Sequence, residues 1–206
     1  MSIILHILTK DGIVAASDTR TTIRKDSSVR YDDTAEKTIV FPNRIVVSHC
    51  GDSMVTQTLS VTKFLLGLKD NIKLTDDIVS VPLKILNAYN TAGGKGDTVF
   101  LISGYLKKAS LAYTYRVETK AQQVKLTKDN RECGASYGGI TNIAHAIMNS
   151  GIDYGNLSID NAHDLSKICI RACIDVSRFH HAQSIGGAAQ IYVIDDLHQR
   201  EYWSEC

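Results

Sequence analysis

Ser2 directly follows Met1. Once Met1 is removed, Ser2 carries a hydroxyl nucleophile and a free α-amine together. The amine titrates near neutrality, at about pH 7.7–8.0, so it can take the hydroxyl proton as a general base. With Met1 attached there is no such amine and the chemistry fails; a small second residue such as Ser is the kind that methionine aminopeptidase exposes. A serine nucleophile also needs a positive charge near its base and a donor for the developing oxyanion. Two charged residues in strand-like contexts come next, Asp18 in Ser17-Asp18-Thr19-Arg20 and Lys37 in Ala35-Glu36-Lys37-Thr38. Taken alone, such residues read as an ion pair that joins two strands, which often contributes little.

The elements that would position these groups follow from the hydrophobic pattern. Residues 3–8 form an apolar run of strand length, Lys10-Asp11-Gly12 is a hairpin turn, and residues 13–16 form a second apolar run. Ser2 thus begins a β-hairpin. Residues 35–41 and 44–48 read as a second pair of strands around Pro42-Asn43, after which Cys50-Gly51-Asp52-Ser53 is expected to open a helix. A glycine there turns the corner and leaves N–H groups open at a helix N-terminus, a place where an oxyanion is stabilised.

In this order the residues resemble the proteasome β subunits and the bacterial HslV protease, members of the N-terminal-nucleophile hydrolases. Counted from Ser2, the Gly12 turn, Asp18-Thr19-Arg20 and Thr22 fall at the family's spacing. A stretch about three residues longer than usual, 23–34, then leads to Lys37, which matches the family's catalytic lysine. Gly51 matches the glycine whose backbone N–H serves the oxyanion hole. Tyr137-Gly138-Gly139 before a helix and Gly186-Gly187-Ala188 before a strand follow in the family's order. The resemblance implies a threonine/serine-type N-terminal-nucleophile peptidase with Ser2, Asp18, Lys37 and Gly51 as its catalytic set. It also implies a substrate pocket with Thr21, Thr22, His49 and Ser53 on its walls, small, polar and carrying a titratable His. Peptide or protein is the substrate class, no metal or organic cofactor is implied, and a homo-oligomer, a ring or part-ring, is expected, with or without an ATPase partner.

In such a site Asp18 would hold the Lys37 ammonium in place, and that charge would lower the proton affinity of the Ser2 hydroxyl and amine. The sequence departs from the family at three places where active subunits carry Ser, Asp and Ser, and which here are Gly139, Ala182 and Ile185. Ser184 or His181 could supply a polar group after a one-residue shift. These departures favour an alternative, a non-catalytic proteasome-like subunit that builds an assembly. A transpeptidase or small-amide hydrolase using the same nucleophile is a further alternative.

The 206 residues are 44% hydrophobic and 22% charged with a net charge of +1, which fits one soluble domain over residues 1–206. The basic residues are spread singly, so neither nucleic acid nor an anionic membrane is an expected partner. No apolar stretch approaches about 18 residues, the length of a membrane-spanning helix, and the first apolar run is too short for a signal peptide. A cytoplasmic location is expected. Five cysteines, Cys50, Cys133, Cys169, Cys173 and Cys206, are odd in number and mostly in apolar contexts, which argues against a disulfide framework. Cys169 and Cys173 lack the spacing of a structural zinc site, and Cys50 lacks a His-Asn relay. Gly93-Gly94-Lys95-Gly96-Asp97 lacks the Walker spacing of a phosphate loop.

Helical stripes are read over 53–68, 78–89, 140–148 and 159–178, and strands over 97–103, 110–117, 122–126, 132–136, 189–194 and 200–203. This order predicts an α+β fold, a four-layer αββα sandwich of two antiparallel sheets flanked by helices.

Overall fold

The first strand, β1 (Ile3–Leu8), is buried at all six residues, because its neighbours cover both faces of a run whose only polar member is His6. The computed structural model describes residues 2–25, 28–73, 75–106, 111–129, 132–140, 142–179, 184–195 and 199–204. β1 pairs antiparallel with β2 (Gly12–Asp18) through the predicted turn. Thr9 closes that turn, its hydroxyl accepting from the N–H groups of Asp11 and Gly12. The remaining strands are β3 (Thr21–Lys25), β4 (Ser28–Asp32), β5 (Thr38–Phe41), β6 (Ile45–Gly51), β7 (Thr98–Tyr105), β8 (Ala112–Glu118), β9 (Gln123–Asp129), β10 (Gly134–Gly139), β11 (Ala189–Asp195) and β12 (Gln199–Ser204). One five-stranded sheet has the order β10-β1-β2-β11-β12, and a second runs β5-β6-β7-β8-β9.

Two helix pairs cover these sheets. α1 (Val61–Lys69) and α2 (Val81–Thr91) pack on the second sheet, where Phe64, Leu65, Ile85 and Tyr89 meet Val47, Phe100 and Ile102. Tyr89 meets Phe64 and Phe100 edge-on, with ring centroids 5.9 and 6.1 Å apart. α3 (Asn142–Met148) and α4 (Ile159–Ser177) pack on the first sheet, with Ala162, Cys169, Ile170 and Cys173 against Ile3, Leu5, Val14 and Ile191. Cys169 and Cys173 are thus small residues of a buried helix face. Cys50, Cys133, Cys169 and Cys173 are free thiols. The alternate residues of β1 and β2 point the other way, and Leu8, Ile13 and Ala15 meet Val46, Tyr105 and Ala112 of the second sheet.

The expected architecture needs two corrections. The α+β class holds, but four helices and three antiparallel sheets, not two, are present among the described residues. The third sheet is the ribbon β3–β4, formed by the stretch read from sequence only as extra length. All five residues of β4 are exposed, so this ribbon belongs to neither packed sheet and the two-sheet, four-layer description does not hold. The second correction concerns the helix expected from residue 53, which begins only at Val61. Local side-chain bonds win over the helical stripe there, since the Thr56 hydroxyl accepts from the N–H groups of Thr58 and Leu59. Val55 N–H bonds to Leu59 O, a Met54–Ser60 bridge closes the turn, and the Ser60 hydroxyl caps α1 by accepting from Lys63 N–H at 3.2 Å.

Candidate active site

Four elements converge on Ser2, starting with the strand it precedes. Its carbonyl accepts from Ile140 N–H at 3.0 Å, just past the end of β10. Gly139 makes that approach possible, because its φ is +96° and a Cβ there would lie 1.7 Å from Ser2 O. Gly139→Ala is therefore expected to lower stability by about 2–3 kcal/mol through strain and overpacking, as read from urea unfolding.

Asp18, at the end of β2, is fully buried and holds this corner together. Its Oδ1 accepts from Ile3 N–H at 3.0 Å and from Lys37 Nζ at 2.8 Å. Its Oδ2 accepts from Gly186 N–H at 3.2 Å and from Arg20 N–H at 3.3 Å. The carboxylate thus fixes the residue after Ser2, the chain before β11 and the lysine in one place. Lys37, 2% exposed, also donates to Arg20 O at 2.5 Å. Burial pushes its pKa below the ordinary lysine value, and the Asp18 charge and hydrogen bond oppose that. Lys37→Met leaves Asp18 as a buried charge without its counterion, so the variant is expected to lose about 3 kcal/mol of stability. The midpoint of guanidinium unfolding, with Asp18→Asn/Lys37→Met as the paired control, measures this.

A recess of about 40 Å³ opens beside the pair, lined by Ser2, Arg20, Thr21, Thr22, Lys37, His49, Cys50, Gly51 and Ser53. It brings together every residue expected in the catalytic set or on the pocket walls except Asp18, which lies behind Lys37. Arg20 and Cys50 were in neither the catalytic set nor the pocket set expected from the sequence. The motif that contains Arg20 signalled it, but the role falls to its backbone carbonyl, which no side-chain pattern reveals. His49 donates through Nε2 to Thr62 Oγ1 at 3.2 Å, because that hydroxyl's own proton goes to Glu36 O. Burial, with the Lys37 charge adding to it, pushes His49 down to about 3, so its ring is neutral near pH 7. Burial pushes the Cys50 thiol up to about 12. Thr22 Oγ1 is buried with no hydrogen-bond partner among the described residues.

Gly51 is not at a helix N-terminus as expected, since α1 starts ten residues later. Its N–H is placed by the ladder instead. Asp52 N–H bonds to Asp97 O on the β7 side, and His49 N–H bonds to Lys37 O on the β5 side. Alternation along an antiparallel strand therefore turns the Gly51 N–H to the side of Lys37. Of the three departures, Gly139 serves the close approach to Ser2, and Ile185 is buried with its N–H bonded to Ser177 Oγ at 3.3 Å. Ala182 and His181 lie outside the described residues, and Ser184 is buried.

No family model matches the chain, and no curated protein matches it. Solved structures do. Two structures of Anbu from Hyphomicrobium sp. strain MC1, one of them a mutant, each superpose with a TM-score of 0.77 at 14% identity, covering 100% and 99% of this chain and 88% of theirs. Anbu from Yersinia bercovieri, described as an ancestral beta-subunit, matches with a TM-score of 0.73 at 14% identity over 97% of this chain and 86% of that one. These findings correct the family expectation, which was the proteasome β subunit and HslV. At 14% identity the likeness shows the fold alone, and that fold is the one found in Anbu. No helix among the described residues is long and apolar enough to cross a membrane.

Proposed function

We propose that the chain is an amide or peptide hydrolase in which Ser2, freed of Met1, is the nucleophile. The observation that carries this is the buried Asp18–Lys37 pair at the back of a recess that Ser2 and Gly51 line. Lys37 has three donors, of which Asp18 and Arg20 O take two, leaving one N–H for a group in the recess. In the first step Ser2 Oγ attacks the amide carbonyl carbon and its proton passes to the Ser2 amine. The carbonyl oxygen becomes an oxyanion opposite the Gly51 N–H. The C–N bond then breaks, the leaving amine takes the proton back, and water hydrolyses the resulting ester on Ser2. The unpartnered Thr22 hydroxyl and the neutral His49 ring suit a small polar group of the substrate. Assembly of copies into a ring or part-ring belongs to the same proposal, in line with a structural neighbour described as a beta-subunit.

The competing reading is a structural subunit without activity, and it is supported by Gly139 and Ile185, which give the nucleophile's amine no polar side chain. Intact mass before and after incubation with a β-lactone or epoxyketone probe separates the two. Loss of Met1 with one probe adduct on Ser2 is expected. Retained Met1 with no adduct would overturn the hydrolase and leave the structural subunit.

A further inference from the structure

A chain of six buried polar side chains runs through the interior between the two packed sheets and ends beside the candidate catalytic pair. His6 is its centre, with Nδ1 2.7 Å from Ser103 Oγ and Nε2 2.8 Å from Ser48 Oγ. Ser103 meets Thr114 Oγ1 at 2.7 Å, Ser48 meets Thr38 Oγ1 at 2.8 Å, and Thr38 Oγ1 donates to Ser17 Oγ at 3.0 Å. All six residues are at most 1% exposed. Each hydroxyl has one proton, so the last link and a neutral His6 ring together fix the direction of the others. Thr38 spends its proton on Ser17, so Ser48 donates to Thr38 and His6 donates to Ser48 through Nε2–H. Nδ1 then accepts from Ser103, which accepts from Thr114. Burial pushes His6 down to about 3, so the neutral ring that this order needs is the form present near pH 7.

The chain crosses between sheets at a telling place. Ser17 immediately precedes Asp18, and Thr38 immediately follows Lys37. The backbone at Thr38 is also clamped from the first sheet, where Gln190 Oε1 accepts from Thr38 N–H at 3.3 Å and Gln190 Nε2 donates to Thr38 O at 3.2 Å. Apolar faces set their offset by shape alone, whereas directional bonds add a specific register, and a partly broken buried network is costly. We propose that His6 is a positioning residue which, through Ser48, Thr38 and Ser17, locks the two sheets at the offset that keeps Lys37 against Asp18 and the Ser2 recess. This deepens the reading of Ser2 as a nucleophile and rests on it for its catalytic consequence.

The test uses His6→Leu and Ser48→Ala, which cut the chain, His6→Gln, which keeps a polar group near the position of Nε2, and Thr114→Val at the far end. Ser48→Ala removes one oxygen and serves as the cutting variant should His6→Leu not fold. Two readouts are taken on full-length protein. One is the rate of Ser2 acylation by a β-lactone, split into maximal rate and half-saturating concentration. The other is the titration of Lys37 followed by NMR at Cε, where the facing groups are Asp18, Asp33, His49 and Cys50. Cutting the chain is expected to lower the maximal acylation rate about tenfold at an unchanged half-saturating concentration, the cost of a small misplacement. The Lys37 midpoint is expected to rise by about one pH unit toward the ordinary lysine value as water reaches it. His6→Gln recovers part of both, and Thr114→Val changes neither. Folded His6→Leu or Ser48→Ala protein with wild-type values of both would overturn the proposal. Absence of acylation in the wild type, with the Lys37 midpoint still responding to the cut, would overturn the hydrolase reading and keep the positioning role.

Discussion

Replacing Ser2 with Ala is expected to abolish covalent labelling and lower amide hydrolysis by at least about 10³-fold, the scale of losing a nucleophile. The other hydroxyls and the thiol around the recess are poor substitutes. Thr21, Thr22 and Ser53 carry no free α-amine to act as their base, and burial pushes Cys50 up to about 12, so its thiolate is scarce near neutrality. Structural damage is a weak explanation for such a loss, because the bonds that hold this residue run through its carbonyl to Ile140 N–H and through the following N–H to Asp18, and Ala keeps both. Ser2→Thr, which retains hydroxyl and amine, is expected to keep measurable acylation. The assay is labelling by a β-lactone followed by intact mass, with unfolding midpoints of both variants alongside. An alanine variant as active as the parent would end the case for Ser2.

The strands that position Ser2 were legible because their patterns are local. A buried apolar run, a Lys-Asp-Gly turn and a second apolar run specify the β1–β2 hairpin without help from the rest of the chain. The β3–β4 ribbon was not legible as a sheet. Its Thr, Ile, Val and Tyr residues are mixed with charges, and both strands lie outside the apolar cores that give the other strands their pattern. The late start of α1 escaped for a different reason, as helical periodicity continues through Val55 and Leu59 while the Thr56 hydroxyl captures two backbone N–H groups. In the site, Lys37 and Asp18 read as an ion pair from the sequence, but a catalytic place for them came only through a spacing borrowed from a resemblance. The three backbone N–H groups that converge on Asp18 have no signature in residue types at all. The His6 chain is the extreme case, since its members are single polar residues on six strands and only the packing of two sheets makes them neighbours.

That same packing makes the protein sensitive to acid, and its unfolding free energy is expected to drop by about 4 kcal/mol between pH 7 and pH 5. His6 and His49 are both pushed down to about 3, chiefly by burial, from the ordinary value of 6.5. Between these limits the unfolded chain binds protons at both rings and the folded chain does not. The unfolded state therefore holds more protons, stability rises with pH across this window, and it is lost as pH falls from about 6.5 toward 3. At pH 5 each ring contributes about 2 kcal/mol to that loss. The chosen pH isolates the histidines, because the carboxyls of Asp33 and Asp76, held below their usual 3.8 by hydrogen bonds to Arg20 and Lys84, begin to titrate only lower still. Urea unfolding at the two pH values measures the difference, and His49→Gln or His6→Gln is expected to remove about half of it. A stability that does not change over this range would mean that both rings take up protons in place. For His6 that uptake would require two hydroxyls to turn, so that Nδ1–H donates to Ser103 and Ser103 donates to Thr114, on top of the cost of burying the charge.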